Sequence, residues 1–286
     1  MNKHYDKEVF DLKCGFQLNH TFGVSAEKST HGQLHDIHKF LVYHFIKGSG
    51  NIKIDGNSFD ISEGDFIILN PSEMFCCSID KNNYHERFTL HIDESMLENF
   101  PDECSDLFKP FFSKKKRLCS KIEKKDAIIY GLNQKMPEIY ELVKNPTPEN
   151  KLLCICKVIE FFTELDKIST TAVKSSPTPT NPVINDVLEY LNCHFTENFN
   201  IDFLAEKFTL NNSYLSHLFK EHVGISLWNY VIIKRINLFN ELISKGDSLE
   251  EICYKVGFQN YSNFFRLYKK HMNMTPLEFK QKQKNH

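Results

Sequence analysis

The chain has 286 residues, 41% of them hydrophobic and 25% charged, with a formal net charge of -2 at pH 7. This length accommodates two domains, and the composition is that of a globular protein with a buried core. The near-neutral balance excludes a globally basic chain but not a local basic face. The nine cysteines are odd in number, have no repeating spacing and include the adjacent pair Cys76-Cys77. They exclude a regular disulfide framework and a zinc knuckle, and predict reduced thiols in a cytoplasmic protein.

No apolar stretch follows the first residues, so no signal peptide is expected. No run reaches the roughly 18 apolar residues of a membrane span. Strands are expected over residues 38–92. Phe40 to Ile46 is a β-branched and aromatic run. Ile52 and Ile54, then Phe59 and Ile61, alternate with polar residues around the Asp55-Gly56 turn. Phe66 to Leu69 reads as a short buried strand stopped by Asn70-Pro71. Arg87 to Ile92 alternates strictly, with Arg87, Thr89 and His91 on one face and apolar residues on the other. Short strands joined by tight turns predict a small barrel or sandwich.

Helical periodicity follows. One helix is expected over 124–144, with Pro137 near a break. A second is expected over 150–168, with Leu152, Ile155, Ile159, Phe162 and Leu165 on one face and Val158 alongside. Lys114-Lys115-Lys116-Arg117 reads as a solvated basic loop or helix start. The Ser-, Thr- and Pro-rich stretch 169–182 is a linker of extended character. The expected division is therefore a β-rich domain over 1–112, a helical region over 113–168, the linker, and an all-helical domain over 183–286.

The last of these contains an internal repeat. Leu204-Ala205-Glu206-Lys207-Phe208 aligns with Ile252-Cys253-Tyr254-Lys255-Val256, and Leu215 to Lys220 aligns with Phe264 to Lys269, with one residue inserted in the second copy near Gly257. Each copy reads as helix, turn, helix. Asn211 or Asn212 caps one second helix, and Ser248-x-x-Glu251 is a capping box that opens the other unit. A longer helix, about 227–244, joins the units, and Thr275-Pro276-Leu277-Glu278 opens a final one. The outward residues of the two second helices are Asn212, Ser213, Ser216, His217 and Lys220, then Tyr261, Ser262, Phe265, Arg266, Lys269 and Lys270. Small polar residues beside basic ones suit entry into a DNA major groove, with Arg266 placed for guanine and Lys220 and Lys269 for phosphate.

Two stretches resemble the AraC/XylS family of transcription regulators: Tyr214 to Lys220 with Gly224-Ile225-Ser226, and Val256 to Phe264 with Thr275-Pro276. The resemblance covers about residues 183–284. It implies two recognition helices on one rigid module, set in adjacent major grooves, with Ser213, Ser216, His217, Tyr261, Ser262, Phe265 and Arg266 at base-facing positions. Departures are Phe239, where the linking helix usually has a small residue, and Asn273, which replaces the usual glycine before Thr275-Pro276. The apolar Phe265 favours a thymine methyl or neighbouring protein.

The β-rich half is similar to the cupin-like sensor that often precedes this module. The overall expectation is an α+β two-domain protein, with a cupin-like barrel plus helices followed by a double helix-turn-helix. His35, His44, Arg87 and His91 are candidate effector-lining residues, with Arg87 suited to a carboxylate or a sugar hydroxyl. The strand face that points inward is left open. No catalytic motif, cofactor or metal is expected, because His44 lacks an adjacent carboxylate and Cys76 lies near where a metal cupin would have its late histidine. The resemblance implies operator DNA, RNA polymerase, a small-molecule effector and a second copy of the chain as partners. The stripe on the second helix is assigned to dimerisation in preference to covering the barrel. Alternatives are a ligand-independent regulator with a protein-binding barrel, or a metal cupin enzyme fused to a DNA-binding module.

Overall fold

The computed structural model describes residues 5–11, 15–24, 31–34, 39–54, 57–70, 73–80, 83–93, 96, 121–171, 181–243 and 247–284. Its strands, in chain order, are β1 (Tyr5–Asp11), β2 (Phe16–Val24), β3 (His31–Leu34), β4 (Lys39–Lys47), β5 (Gly50–Ile54), β6 (Asn57–Ile61), β7 (Phe66–Leu69), β8 (Met74–Ile79), β9 (Tyr84–Asp93) and β10 (Lys121–Ile122). They form a six-stranded sheet in the order β1-β2-β9-β4-β7-β10 and a four-stranded sheet in the order β3-β8-β5-β6. Every pairing is antiparallel. Among the described residues no ladder joins the two sheets, so the expected barrel takes the form of two facing sheets.

The alternating sequences place their side chains as a period of two requires. Phe40, Val42, Phe66, Ile68, Phe88, Leu90 and Ile92 share one face of the larger sheet, with Phe16 and Leu18 from β2. That face is covered by helices α2 (Lys135–Lys144) and α3 (Pro148–Thr171), which follow α1 (Lys124–Ile129) and a short 3-10 turn. Pro137 falls in the first turn of α2, where a missing N–H costs nothing. The opposite face presents Leu41, Tyr43, Phe45, Ile67 and Leu69 to Ile52, Ile54, Phe59, Ile61, Phe75 and Ile79 of the smaller sheet. Asp65 ties the sheets to the helices: it accepts the Lys124 N–H at 3.0 Å and pairs with Lys121 at 2.9 Å.

Two expectations need correction here. Strands begin at β1 rather than near residue 38, and the alternation of Phe16, Leu18 and His20 was the readable signal for β2. The stripe on α3 covers the sheet: Val158, Phe162 and Leu165 are buried, and the Phe162 ring lies 5.7 Å from Phe40. An apolar sheet face as large as this one must be covered, and the nearest amphipathic helix in the chain covers it. Lys114 to Arg117, Asp55-Gly56, His35 and most of the 169–182 linker lie outside the described residues.

The C-terminal half comprises α4 (Pro182–His194), α5 (Ile201–Lys207), α6 (Asn212–Val223), α7 (Leu227–Leu242), α8 (Leu249–Lys255), α9 (Tyr261–Met272) and α10 (Pro276–Lys284). Side-chain caps set the helix starts. Asn200, Asn211 and Asn260 accept N–H groups from Phe203, Tyr214 and Asn263, and Ser248 with Glu251 forms the complete capping box. The repeat is exact in its turns. Leu210 N–H donates to Ala205 and Phe258 N–H donates to Cys253, so the residue added in the second unit is Gln259. Asn273 takes the left-handed conformation at φ 53°, which asparagine tolerates better than most residues, so it serves where glycine is usual.

The long helix α7 holds the two units together. Leu227, Tyr230, Val231 and Ile233 enter the core of the first unit, while Ile236, Phe239 and Ile243, the last just past the helix end, enter that of the second. The bulky Phe239 is fully buried against the rings of Phe264 and Tyr268. Arg235, on the same helix, donates to the carbonyls of Phe195 at 2.6 Å and Glu197 at 2.8 Å, and its guanidinium lies 5.6 Å from the Phe258 ring. Gly257 (φ +98°) closes this joint, because a Cβ there would meet the Thr196 carbonyl at 2.4 Å. Replacing Arg235 by leucine strands two carbonyls and removes charge-assisted bonds. The expected loss is about 2–3 kcal/mol of unfolding free energy in chemical denaturation. A loss below about 0.5 kcal/mol would show that the joint does not depend on this arginine.

Candidate nucleic-acid interface and sensor interior

The helices α6 and α9 occupy equivalent places in the two units, each amphipathic in the same sense. On α6, Leu215, Leu218 and Phe219 are buried, while Ser213, Ser216, His217 and Lys220 are exposed. On α9, Phe264 and Tyr268 are buried, while Ser262, Arg266 and Lys269 are exposed and Phe265 is 36% exposed. Two predicted residues differ from this pattern. Asn212 is half-buried and donates to Asp202, fastening α5 to α6. Tyr261 is half-buried, with its ring against Phe264 and Phe265. Arg266 is steadied by its neighbour, donating to Asn263 Oδ1 at 3.1 Å, and remains open to solvent. His217 lies 3.7 Å from Glu221 one turn later. Lys255 pairs with Asp247 at 2.7 Å.

In the sensor, β9 resolves the question of which face points inward. Its Phe88, Leu90 and Ile92 face the helices, so Arg87 and His91 face the smaller sheet. The register sets Thr21 opposite Arg87, Asn19 opposite Thr89 and Tyr43 opposite Thr89 on the other side. His91 Nε2 and Asn19 Nδ2 are 2.8 Å apart, and Asn19 also accepts from Gln17. The Arg87 guanidinium lies 5.1 Å from the Tyr43 ring, and its charge acts on the Cys77 thiol. Burial pushes Tyr43 up to about 12 and Cys77 up to about 11. Burial, then the charge of Arg87, pushes His85 down to about 4. Asn19, Thr21, Tyr43, Cys77 and His85 were not picked out from the sequence as effector-lining residues. They become neighbours only through strand pairing.

His44 does not join this group. It points to the helix side, stacked on Phe66 with ring centroids 4.0 Å apart, and its Nδ1 has no partner. The alternation of β4 requires this, since Leu41, Tyr43 and Phe45 take the inner face. Among the described residues no group of three or more His, Cys, Asp or Glu side chains is placed to hold a metal. No described helix is long and apolar enough to cross a membrane.

The two halves meet at β8 and the end of α6. Lys53 of β5 donates to the Glu221 carbonyl, and Cys76 Sγ lies 4.0 Å from the Gly224 carbonyl. Gly224 caps α6 at φ +89°, and a Cβ there would meet Cys76 Cβ at 2.7 Å. The sequence held no sign of this contact.

A family model described as an AraC-like ligand binding domain matches residues 20–168, and a helix-turn-helix domain model matches residues 204–282. The chain belongs to the AraC family. Its relatives include the Msm operon regulatory protein of Streptococcus mutans, 21% identical over 86% of this chain and 85% of that protein. The transcriptional activator RhaS of Salmonella arizonae is 26% identical over 43% of this chain and 45% of that protein. An uncharacterized regulator of Escherichia coli, YdiP, is 32% identical over 36% of this chain, which spans about a third (34%) of that protein's length. Among solved structures, ToxT of Vibrio cholerae covers 93% of this chain and 98% of its own, with 17% identity and a TM-score of 0.40. As an AraC-family regulator, this chain joins a helix-turn-helix DNA-binding half to a ligand-binding half.

The buried histidines make sensor stability depend on pH. Burial also pushes His44 down to about 4. Both His44 and His85 thus have folded-state values below their unfolded value of about 6.5. Their stability contribution is present in full above that value and is lost as pH falls towards 4. The thermal midpoint of the full chain should fall between pH 7 and pH 5, and His44→Phe should flatten that fall. An equal pH dependence in the variant would remove His44 from the account.

Proposed function

We propose that this AraC-family protein is a ligand-modulated regulator that binds operator DNA as a homodimer through α6 and α9. Both helices present small polar and basic side chains outward while their apolar faces are locked in place, and α7 with Arg235 fixes their separation. Arg266 is the residue best suited to a base, with a planar donor fork steadied by Asn263. Ser213, Ser216, His217 and Ser262 allow close approach, and Lys220 and Lys269 take phosphates. Phe265 takes a thymine methyl, while Asn212 and Tyr261 hold the helix starts.

The observation that carries modulation is the alternation of β8. Cys77 packs against the core between the sheets, where the charge of Arg87 reaches it, and Cys76, the next residue, packs on Gly224 at the end of α6. A molecule between the sheets therefore acts one residue away from the contact that holds a recognition helix. Ligand control requires only that it favour one arrangement of this contact over another. Arg87 and His91 are the effector residues of this reading. Self-association falls to the outer side of α3, where Leu152, Leu153 and Cys156 remain exposed after the inner side has covered the sheet. Two linked modules gain effective concentration on a paired site. The protein acts by binding, not catalysis, and works in the cytoplasm beside RNA polymerase.

Arg266→Ala should weaken operator binding by about 1–3 kcal/mol in fluorescence anisotropy and relax preference at one base pair. An equal loss on unrelated DNA would reduce Arg266 to a phosphate contact. Lys53→Ala, which frees the end of α6, should raise operator affinity in the absence of ligand. Unchanged affinity would rule out β5 as a restraint on DNA binding.

A further inference from the structure

We propose that the ligand between the sheets is an anion, a small molecule carrying a carboxylate, and that Arg87 is its counter-ion. This rests on the ligand-modulated reading above and adds the chemical class of the ligand. The starting observation is a half-buried cation with no acidic partner among the described residues. A guanidinium is a permanent cation, and removing one from water is costly unless it is paired. Among the described residues Arg87 has no carboxylate partner, and its Nε is buried without any hydrogen-bond partner.

The groups around it cannot supply the missing charge. Tyr43, pushed up to about 12, and Cys77, pushed up to about 11, are both neutral at physiological pH. His85, pushed down to about 4, is neutral as well. The nearest acid along the strand, Glu86, faces the other way and bonds to His20 at 2.9 Å. Among the described residues, the Arg87 charge thus lies beside a ring face, which solvates a cation without neutralising it.

The surroundings fit an organic anion better than an inorganic one. The inner face of the larger sheet divides into two parts. Asn19, Thr21, Thr89 and His91 form a polar part beside Arg87, while Tyr43, Phe45 and Phe75 lead into the apolar core. A carboxylate at Arg87 would take the buried Nε–H in a charge-assisted bond, with its carbon skeleton towards the aromatic rings.

The test uses the full chain. Thermal shift and calorimetry would compare propionate, octanoate and benzoate with their carboxamides, alongside inorganic phosphate and neutral monosaccharides, on wild type, Arg87→Met and Arg87→Lys. The expected result is saturable stabilisation by a carboxylate, weakened at least roughly tenfold in its carboxamide and in Arg87→Met, and partly kept in Arg87→Lys. Arg87→Met should also melt at or above the wild-type temperature without ligand, since it removes an uncompensated charge. Phosphate binding equal to the best carboxylate would overturn the organic part of the proposal. Binding of a sugar alone, unaffected by Arg87→Met, would overturn the proposal yet leave ligand modulation standing. A carboxylate that bound through Arg87 without changing operator affinity would leave the anion site standing and remove modulation. No Arg87-dependent binding, or a sharp loss of stability in Arg87→Met, would make Arg87 a structural cation and overturn the proposal.

Discussion

The six-stranded sheet has no broad solvent face, and the sensor half depends on this constraint. One side is covered by α2 and α3 and the other by the smaller sheet, so the side chains in the middle of β4, β7 and β9 enter one of two interiors. A strand in that position carries almost no silent residues. Its apolar positions build both cores, and its polar positions must be satisfied, paired or given to a ligand. On β9 the outer positions are Phe88, Leu90 and Ile92, and the inner ones are Arg87, Thr89 and His91. The strand is at once the centre of the fold and the floor of the sensor interior.

The DNA-binding half solves a different problem. Two small three-helix units each bury too little apolar surface to be independently secure. Sharing α7 gives both a common wall, and Arg235 with Gly257 locks their relative position through carbonyls that would otherwise be unpaired at the end of α4. The fixed spacing of two exposed helices is therefore a property of packing. In the proposed operator complex this rigidity matters, since a loose pair of helices would lose entropy on binding.

The described contact between the halves centres on the end of α6. Among the described residues it includes a glycine against a cysteine and a lysine on a helix-terminal carbonyl, both at the end of α6. Under the proposed ligand control, this is the contact that a switch between two domain arrangements would rearrange. Its position on β8 next to Cys77 puts the sensor interior and the recognition helix within one strand residue of each other. Transmission over a long path is not needed.

The helix-turn-helix repeat was legible in the sequence because its signals are local: asparagine caps, a capping box, glycine at a turn, and apolar residues at helical spacing. The alternation of Arg87 to Ile92 was equally legible, since period two is a property of the strand itself. Which of its faces turns inward was not, because that depends on what covers the sheet. His44 shows the limit. It sits on a strand as regular as β9, yet it lies on the helix side, where it stacks on Phe66 instead of facing a ligand. The stripe on α3 shows it again, since an amphipathic helix announces that it will bury a face but not against which partner. The grouping of Arg87 with Tyr43, Cys77 and His85, and the meeting of Lys53 and Cys76 with α6, join residues far apart in the chain. Such pairings follow from register and domain packing, which no local pattern encodes. The sequence by itself therefore determined the helices, the strands after residue 38 and the DNA-binding module, while the tertiary structure decided which polar residues share an interior and where the two halves touch.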